Sequence, residues 1–185
     1  MPQRSGEVTF QLLVQLEDVE PAVWRRLLVP GGVRLSTLHD ILQTAMGWTN
    51  AHLHSFTVGD IDYGTPDEDS SEDEVDEASV TVLEALGGQG RVQYIYDFGD
   101  DWRHEILIEE EGPIRDGLTF AVCVDGENAC PPEDCGGPPG YEDLREALAD
   151  PSHDEHEEFL GWVGGSFDPS AFDIVTVNAD LRSLR

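Results

Sequence analysis

Lysine is absent from this chain of 185 residues, and all ten basic residues are arginines. Its absence excludes the chemistry that depends on a lysine side chain, such as a P-loop phosphate site, Schiff-base catalysis or the ATP site of a protein kinase. The triplet Asp97-Phe98-Gly99 is therefore not the metal-binding motif of a kinase, although it has the same letters. A Gly-x-Ser-x-Gly nucleophile motif is also absent.

Basic residues as a whole are scarce: the chain has 10 of them against 39 acidic residues, and its net charge is -29. Nucleic acids and anionic lipids are bound chiefly through lysine and arginine, so we expect neither direct nucleic-acid binding nor membrane binding. An acidic chain attracts cations or a basic protein partner instead. A general compositional bias that removes lysine is the simpler explanation of the same charge.

Long apolar runs are missing too. No stretch approaches the length of a membrane-spanning helix, and the N-terminus lacks the basic and apolar regions of a secretory leader. The three cysteines are an odd number, which fits reduced thiols better than a disulfide framework. These absences predict a soluble, cytoplasmic protein.

The most informative segment that is present covers residues 94–108, where two alternating apolar runs flank a Phe-Gly-Asp-Asp turn signal. This pattern is typical of a β-hairpin. Because side chains alternate between the two faces of a strand, each arm presents one apolar face. The first face carries Tyr94, Tyr96 and Phe98, and the second carries Trp102, His104, Ile106 and Ile108.

Other segments complete an α+β pattern. Strands are predicted near residues 8–17, 22–29, 52–58 and 118–124, and an apolar stripe predicts a helix with Ser36 as N-cap and Gly47 at its end. Further helical stripes follow residue 140, whereas residues 130–140 are too rich in proline and glycine for a regular element. We therefore expect one domain over residues 1–185, with a mostly antiparallel sheet around a central hairpin and helices concentrated in the C-terminal third. An acidic run predicts a mobile loop at about residues 65–78.

Several motifs together resemble a known family. They are Tyr94-x-Tyr96-Asp97-Phe98-Gly99-Asp100-x-Trp102-x-His104, Ala129-Cys130-Pro131-Pro132-Glu133-Asp134-x-Gly136-Gly137 and Phe167-Asp168-Pro169. The chain is similar to the plasmid open-reading-frame-three-like family, which includes insertion-element passenger proteins of a "TnpR" type. The resemblance implies an α+β fold, genes carried on plasmids and transposable elements, and no established activity. The "TnpR" label implies a resolvase, but the acidic charge opposes the basic DNA-binding region that a serine recombinase needs.

Histidines and aspartates offer the clearest candidate site. His52 and His54 are predicted to project from the same face of one strand, and Asp97, Asp100 and His104 of the hairpin could add further ligands. Such a mixed set favours a divalent transition metal and permits water activation. Cys130 and Cys135, with four residues between them, are a second pair of candidate metal ligands.

Each candidate also has a structural interpretation. His104 shares a face with apolar residues, where a hydrogen-bonded core histidine is common, and the aspartates fit turn caps. Cys130 with His104 as base would form a nucleophilic pair, but a strongly negative chain opposes thiolate formation. The sequence favours a non-catalytic binding module that docks a basic protein. The alternative is a metal-dependent hydrolase that uses His52, His54, Asp97, Asp100 and His104.

Overall fold

The computed structural model describes residues 8–66 and 73–184. Its strands are β1 (Val8–Leu16), β2 (Trp24–Pro30), β3 (His54–Val58), β4 (Ile61–Gly64), β5 (Val75–Asp76), β6 (Arg91–Tyr96), β7 (Trp102–Pro113) and β8 (Val122–Glu127). Its helices are α1 (Leu35–Met46), α2 (Val82–Leu86), α3 (Gly137–Ala149), α4 (His156–Trp162) and α5 (Ile174–Ser183). All eight strands form one sheet in the order β5-β4-β3-β6-β7-β1-β2-β8.

The predicted hairpin lies in the middle of this sheet as β6 and β7, which pair antiparallel from Arg91–Leu107 to Tyr96–Trp102. Tyr94, Tyr96 and Trp102 are almost completely buried, as the alternation predicts. Phe98 is different, because it lies in the bend between the strands and is 55% exposed. The alternating pattern ends with β6 at Tyr96, so the prediction that Phe98 shares the core face was wrong.

The expectation of a mostly antiparallel sheet was also wrong, because the sheet is mixed. Strand β5 runs parallel to β4, with Tyr63 opposite Val75. A strand of two residues inside an acidic stretch has no alternation that a sequence could reveal. Residues 67–72 of the predicted mobile loop lie outside the described residues, whereas residues 77–79 form a short 3-10 turn after β5.

Helix α1 packs its apolar stripe into the core, with Leu38, Ile41 and Leu42 buried. It begins one residue before the predicted cap, because Arg34 is the N-cap and Ser36 lies inside the first turn. Gly47 ends the helix in a left-handed conformation, and its N–H donates to the carbonyl of Gln43. This C-terminal cap confirms the predicted end of the helix.

Three of the five helices follow residue 136, and α3 begins inside the segment that was expected to be irregular. Its first residues are Gly137-Pro138-Pro139-Gly140. Proline is compatible with a first helical turn, because the N–H groups there have no partner within the helix. None of the helices among the described residues is long and apolar enough to cross a membrane.

Candidate functional site

A proline-bounded segment, residues 129–136, lies against the end of α1 and is called the Cys-Pro-Pro loop here. Trp48 Nε1 donates to the carbonyl of Pro131 at 3.0 Å. Glu133 accepts bonds from the backbone N–H and the hydroxyl of Thr49, both at 2.8 Å, and from the hydroxyl of Tyr96 at 2.9 Å. Burial raises the pKa of Glu133, but these hydrogen bonds outweigh it and lower the pKa overall. The ionised Glu133 side chain thus holds the loop against Thr49 and Tyr96.

The bend of the central hairpin holds the other side of this loop. Asp100 Oδ2 accepts from the backbone N–H of Gly136 at 3.1 Å. A Cβ atom on Gly137 would lie 2.4 Å from the Asp100 carbonyl, and the φ of Gly137 is +69°. Only glycine fits this close approach without strain. The hairpin bend and the Cys-Pro-Pro loop are therefore in direct contact.

Three potential metal ligands meet where these segments converge. His52 precedes β3, Asp97 follows β6, and Asp134 belongs to the Cys-Pro-Pro loop. His52 Nε2 lies 2.9 Å from Asp134 Oδ1 and 3.6 Å from Asp97 Oδ2. All three ligand atoms lie within 4.8 Å of one another. Among the described residues this is the one place where three such ligands converge.

Asp97 is oriented by its own turn. Its Oδ1 accepts backbone N–H bonds from Gly99 at 2.9 Å and from Asp100 at 3.3 Å, so Oδ2 is the oxygen that faces His52. Asp97 and Asp134 both adopt left-handed backbone conformations, with φ of 57° and 58°. These conformations are uncommon outside glycine, although aspartate adopts them more easily than most residues. The predicted turn-capping role of Asp97 is therefore real, and it leaves one oxygen available.

The sequence profile of plasmid pRiA4b ORF-3-like proteins matches residues 8–176. The chain belongs to this family. An uncharacterized protein, y4hQ of Sinorhizobium fredii, is 44% identical over 177 residues, which cover 94% of this chain and 91% of the relative. The crystal structure of MM3350, a protein of unknown function from Methanosarcina mazei Go1, aligns with a TM-score of 0.83 at 31% identity and covers 91% of this chain and 97% of that one. The family and these relatives have no assigned function, so the site has to be interpreted from its own chemistry.

In this family member His54 lies in a different cluster from His52. Its Nε2 contacts Glu77 Oε2 at 2.9 Å, and both side chains are almost fully buried. The His54 ring stacks on His39 of α1 with centroids 3.4 Å apart and planes 5° apart. His39 also contacts the Tyr94 hydroxyl at 2.8 Å and Asn50 at 2.7 Å. Burial and the nearby His54 lower the pKa of His39 to about 4, so His39 is neutral at pH 7.

His104 is a core residue. It is fully buried, and its Nδ1 lies 3.1 Å from the carbonyl of Trp102 and 3.3 Å from that of Tyr94. Since carbonyls only accept, Nδ1 carries the proton, and the buried Nε2 has no hydrogen-bond partner among the described residues. Burial lowers the pKa of His104 to about 4. Its geometry matches the structural interpretation rather than a metal ligand.

The cysteines do not belong to the three-ligand cluster. Burial raises the pKa of the Cys130 thiol well above its usual range, and burial together with Asp100 raises the pKa of Cys135 to about 12. Both are therefore thiols at neutral pH. A nucleophilic thiolate at Cys130 has no electrostatic support in this environment.

An open groove of about 570 Å³ borders the Cys-Pro-Pro loop. Its lining combines the end of α1, the loop, the end of α4 and Phe167. Trp162 contributes an aromatic surface that is 48% exposed. Asp134 lines the groove and also belongs to the three-ligand cluster. No arginine among the described residues lies within ion-pair distance of Asp97, Asp100, Glu133 or Asp134.

Three residues that shape this region were not among the predicted site residues. Asp134 was visible only as part of a motif, because an irregular loop gives no periodicity from which a side chain's direction follows. His39 sits inside an apolar helical stripe, where the signal was the polar pair His39 and Gln43 at i and i+4. Trp162 is partly exposed, because it lies on the short α4, which contains no buried residue.

Proposed function

We propose that this protein is a non-catalytic binding module whose groove takes an arginine- or lysine-bearing segment of a basic protein partner. The observation that carries the proposal is the pairing of exposed Trp162 with the Asp134 carboxylate in one groove. Asp134 has no arginine partner among the described residues, and its side chain is 68% exposed. Its Oδ1 faces His52 Nε2 at 2.9 Å, and the rest of this exposed carboxylate is available to a ligand.

The groove's other walls suit an extended basic segment. A cation over the face of a tryptophan gains about 0.5–1 kcal/mol at an exposed site. Met46, Val163 and Phe167 add apolar surface that can contact the aliphatic stem of a lysine or arginine. A volume of about 570 Å³ is in the range of ordinary ligand sites. One or two side chains of a partner fit within such a volume.

The charge of the whole chain supports the same partner. A net charge of -29 attracts a basic protein over distances of about a Debye length and raises its association rate. Such steering weakens with salt, whereas apolar contacts in the groove do not. The three cysteines are free thiols, which supports a cytoplasmic setting for this binding.

Isothermal titration calorimetry with defined peptides tests the proposal. The peptide acetyl-Gly-Arg-Gly-Arg-Gly-amide is expected to bind at 50 mM NaCl, and the matching glutamate peptide is expected not to bind. Trp162→Ala and Asp134→Asn are each expected to weaken binding about five-fold, which corresponds to about 1 kcal/mol per lost contact.

Two control variants separate the groove from general acidity. Asp60→Asn removes one exposed charge from the β3–β4 turn, and Val175→Ala shortens an exposed apolar side chain on α5. Neither residue lines the groove. If Asp60→Asn and Asp134→Asn weaken peptide binding equally, the peptide responds only to net charge, and the groove assignment would be wrong.

A metal-dependent hydrolase is the alternative, and the convergence of His52, Asp97 and Asp134 favours it. An ion with three protein ligands keeps a position for water and lowers the pKa of that water. Hydrolysis of bis(p-nitrophenyl) phosphate in the presence of Zn²⁺ or Mn²⁺, abolished by His52→Gln, would establish this class. Equal rates for the wild type and His52→Gln would reject it.

A further inference from the structure

We infer that His52 Nε2, Asp97 Oδ2 and Asp134 Oδ1 form a site for one divalent first-row transition metal ion. The inference concerns the junction of three segments and shares only Asp134 with the groove, so His52→Gln tests it separately from peptide binding. Two of the residues, His52 and Asp97, were among the expected ligands, whereas Asp134 replaces His54, Asp100 and His104.

The distances between the three ligand atoms suit a common ion. Bonds of about 2.1 Å at tetrahedral or octahedral angles place ligand atoms roughly 3.0–3.4 Å apart. The observed separations from His52 Nε2 are 2.9 Å and 3.6 Å, and the third separation is below 4.8 Å. Asp134 has an exposed side chain, so its rotation can adjust the distance between Asp134 and Asp97. The 3.6 Å between His52 and Asp97 is only slightly longer than this range.

His52 supplies a second, independent indication. Its Nε2 atom is buried, yet it makes no aligned hydrogen bond with any described residue, despite lying 2.9 Å from Asp134 Oδ1. His104 Nε2 also lacks a hydrogen-bond partner, but only the His52 nitrogen has carboxylate oxygens of described residues within ion-pair distance. Leaving a buried ring nitrogen without a partner is costly, and an ion bound by both groups would satisfy it. The geometry therefore points to something placed between the imidazole and the carboxylates.

The electrostatic setting favours a cation as that occupant. Asp97, Asp100, Glu133 and Asp134 surround the junction, and no arginine among the described residues pairs with any of them. Asp97 is held by backbone N–H bonds to its other oxygen, and such outer contacts orient metal ligands. Asp100 and Glu133 are occupied in fixing the loop, so they act as surrounding charge rather than as ligands.

The ligand chemistry selects the class of ion. One imidazole nitrogen and two carboxylate oxygens suit Zn²⁺, Mn²⁺ or Fe²⁺, whereas Ca²⁺ and Mg²⁺ prefer all-oxygen sites. A bound ion would tie together the segment before β3, the hairpin bend and the Cys-Pro-Pro loop. It would adjoin the groove through Asp134, which lines both.

Calorimetric titration of the full chain with Zn²⁺ and with Mn²⁺, in 150 mM NaCl and 1 mM MgCl₂, tests the site. One equivalent of at least one of the two ions is expected to bind and to raise the melting temperature. His52→Gln and Asp134→Asn are each expected to raise the Kd at least about tenfold. Asp134→Asn changes an exposed side chain, so a folded protein is expected, and its circular dichroism spectrum checks this.

His153→Gln is the matched control, because His153 is a second histidine in an acidic setting beside Asp150, Asp154 and Glu155. It is expected to leave the Kd unchanged. Binding of neither ion, or binding with an equal Kd in the wild type, His52→Gln and Asp134→Asn, would overturn the inference. A Kd raised as strongly by His153→Gln as by His52→Gln would also overturn it, because the ions would then bind the acidic surface without preference for this site.

Discussion

Replacement of Arg25 by methionine is expected to destabilise the fold strongly. Arg25 is 3% exposed and has no carboxylate partner among the described residues. Its guanidinium donates instead to four backbone carbonyls at 2.8–2.9 Å, those of Trp24, Ala45, Glu127 and Asn128. These bonds join the end of α1 to β2, β8 and the residue before the Cys-Pro-Pro loop. The ring of Phe172 covers the guanidinium, and the Arg25 Cζ atom lies 4.4 Å from the ring centre.

The size of the loss follows from these contacts. Hydrogen bonds to a charged group contribute about 1.5–3 kcal/mol each, so four give a gross stabilisation of roughly 6–12 kcal/mol. Burial of the cation costs several kcal/mol, and the same burial lowers the pKa of Arg25. Methionine restores apolar contact but leaves four buried carbonyls without this donor. We expect the free energy of unfolding to fall by about 3–5 kcal/mol.

Urea unfolding followed by circular dichroism measures the change, provided that the m-value is the same for both proteins. Arg26→Met is the control, because the neighbouring side chain points to the opposite, partly exposed face and pairs with Glu109 and Asp125. Exposed ion pairs contribute about 1 kcal/mol or less. A loss for Arg25→Met no larger than that for Arg26→Met would refute the argument that Arg25 holds these segments together.

Three further predictions concern titration, packing and thiol reactivity. Because burial lowers the pKa of His39 and His104 to about 4, the unfolded state binds more protons below the usual pKa of 6.5. The free energy of unfolding should then fall by up to about 2.7 kcal/mol per pH unit between pH 6.5 and 5, and His104→Gln should halve this slope in urea titrations. Gly137→Ala should lower the free energy of unfolding by about 2 kcal/mol or more, because its Cβ would lie 2.4 Å from the Asp100 carbonyl and its φ is positive. Gly161→Ala, which adds a Cβ in open space on α4, should leave the free energy of unfolding unchanged or raise it in the same assay. Cys130, whose thiol pKa is raised by burial, should react with iodoacetamide at pH 8 far more slowly than glutathione, and a comparable rate in mass spectrometry would contradict its assigned environment.

The parts of the fold that could be predicted were those with a regular apolar period. The stripe of Leu38, Ile41 and Leu42 predicted α1, and the alternation through Tyr94 and Tyr96 predicted β6. Strand β5 and the first turn of α3 could not be predicted in this way. The first has only two residues, and the second consists of glycines and prolines, of which Gly137 packs against the Asp100 carbonyl with a positive φ.

The candidate site shows the same limit. His52 and Asp97 could be selected by residue type, but the separation of His52 from His54 depends on where β3 begins, which is at His54. A strand continuing through both residues would have placed their rings on one face. His104 was expected either as a ligand or as a core residue, and only its burial distinguishes the two. Asp134 acquires its position from the bonds that Glu133 makes, which no local pattern encodes.

The most direct test of the proposed binding function is a ¹H–¹⁵N correlation spectrum of the labelled protein, titrated with acetyl-Gly-Arg-Gly-Arg-Gly-amide at 150 mM NaCl. Saturable shifts are expected at the indole N–H of Trp162 and at the amides of Gly47 and Asp134, which line the groove. Shifts confined to the acidic run of residues 67–77, with the Trp162 indole signal unchanged, would contradict the proposed function.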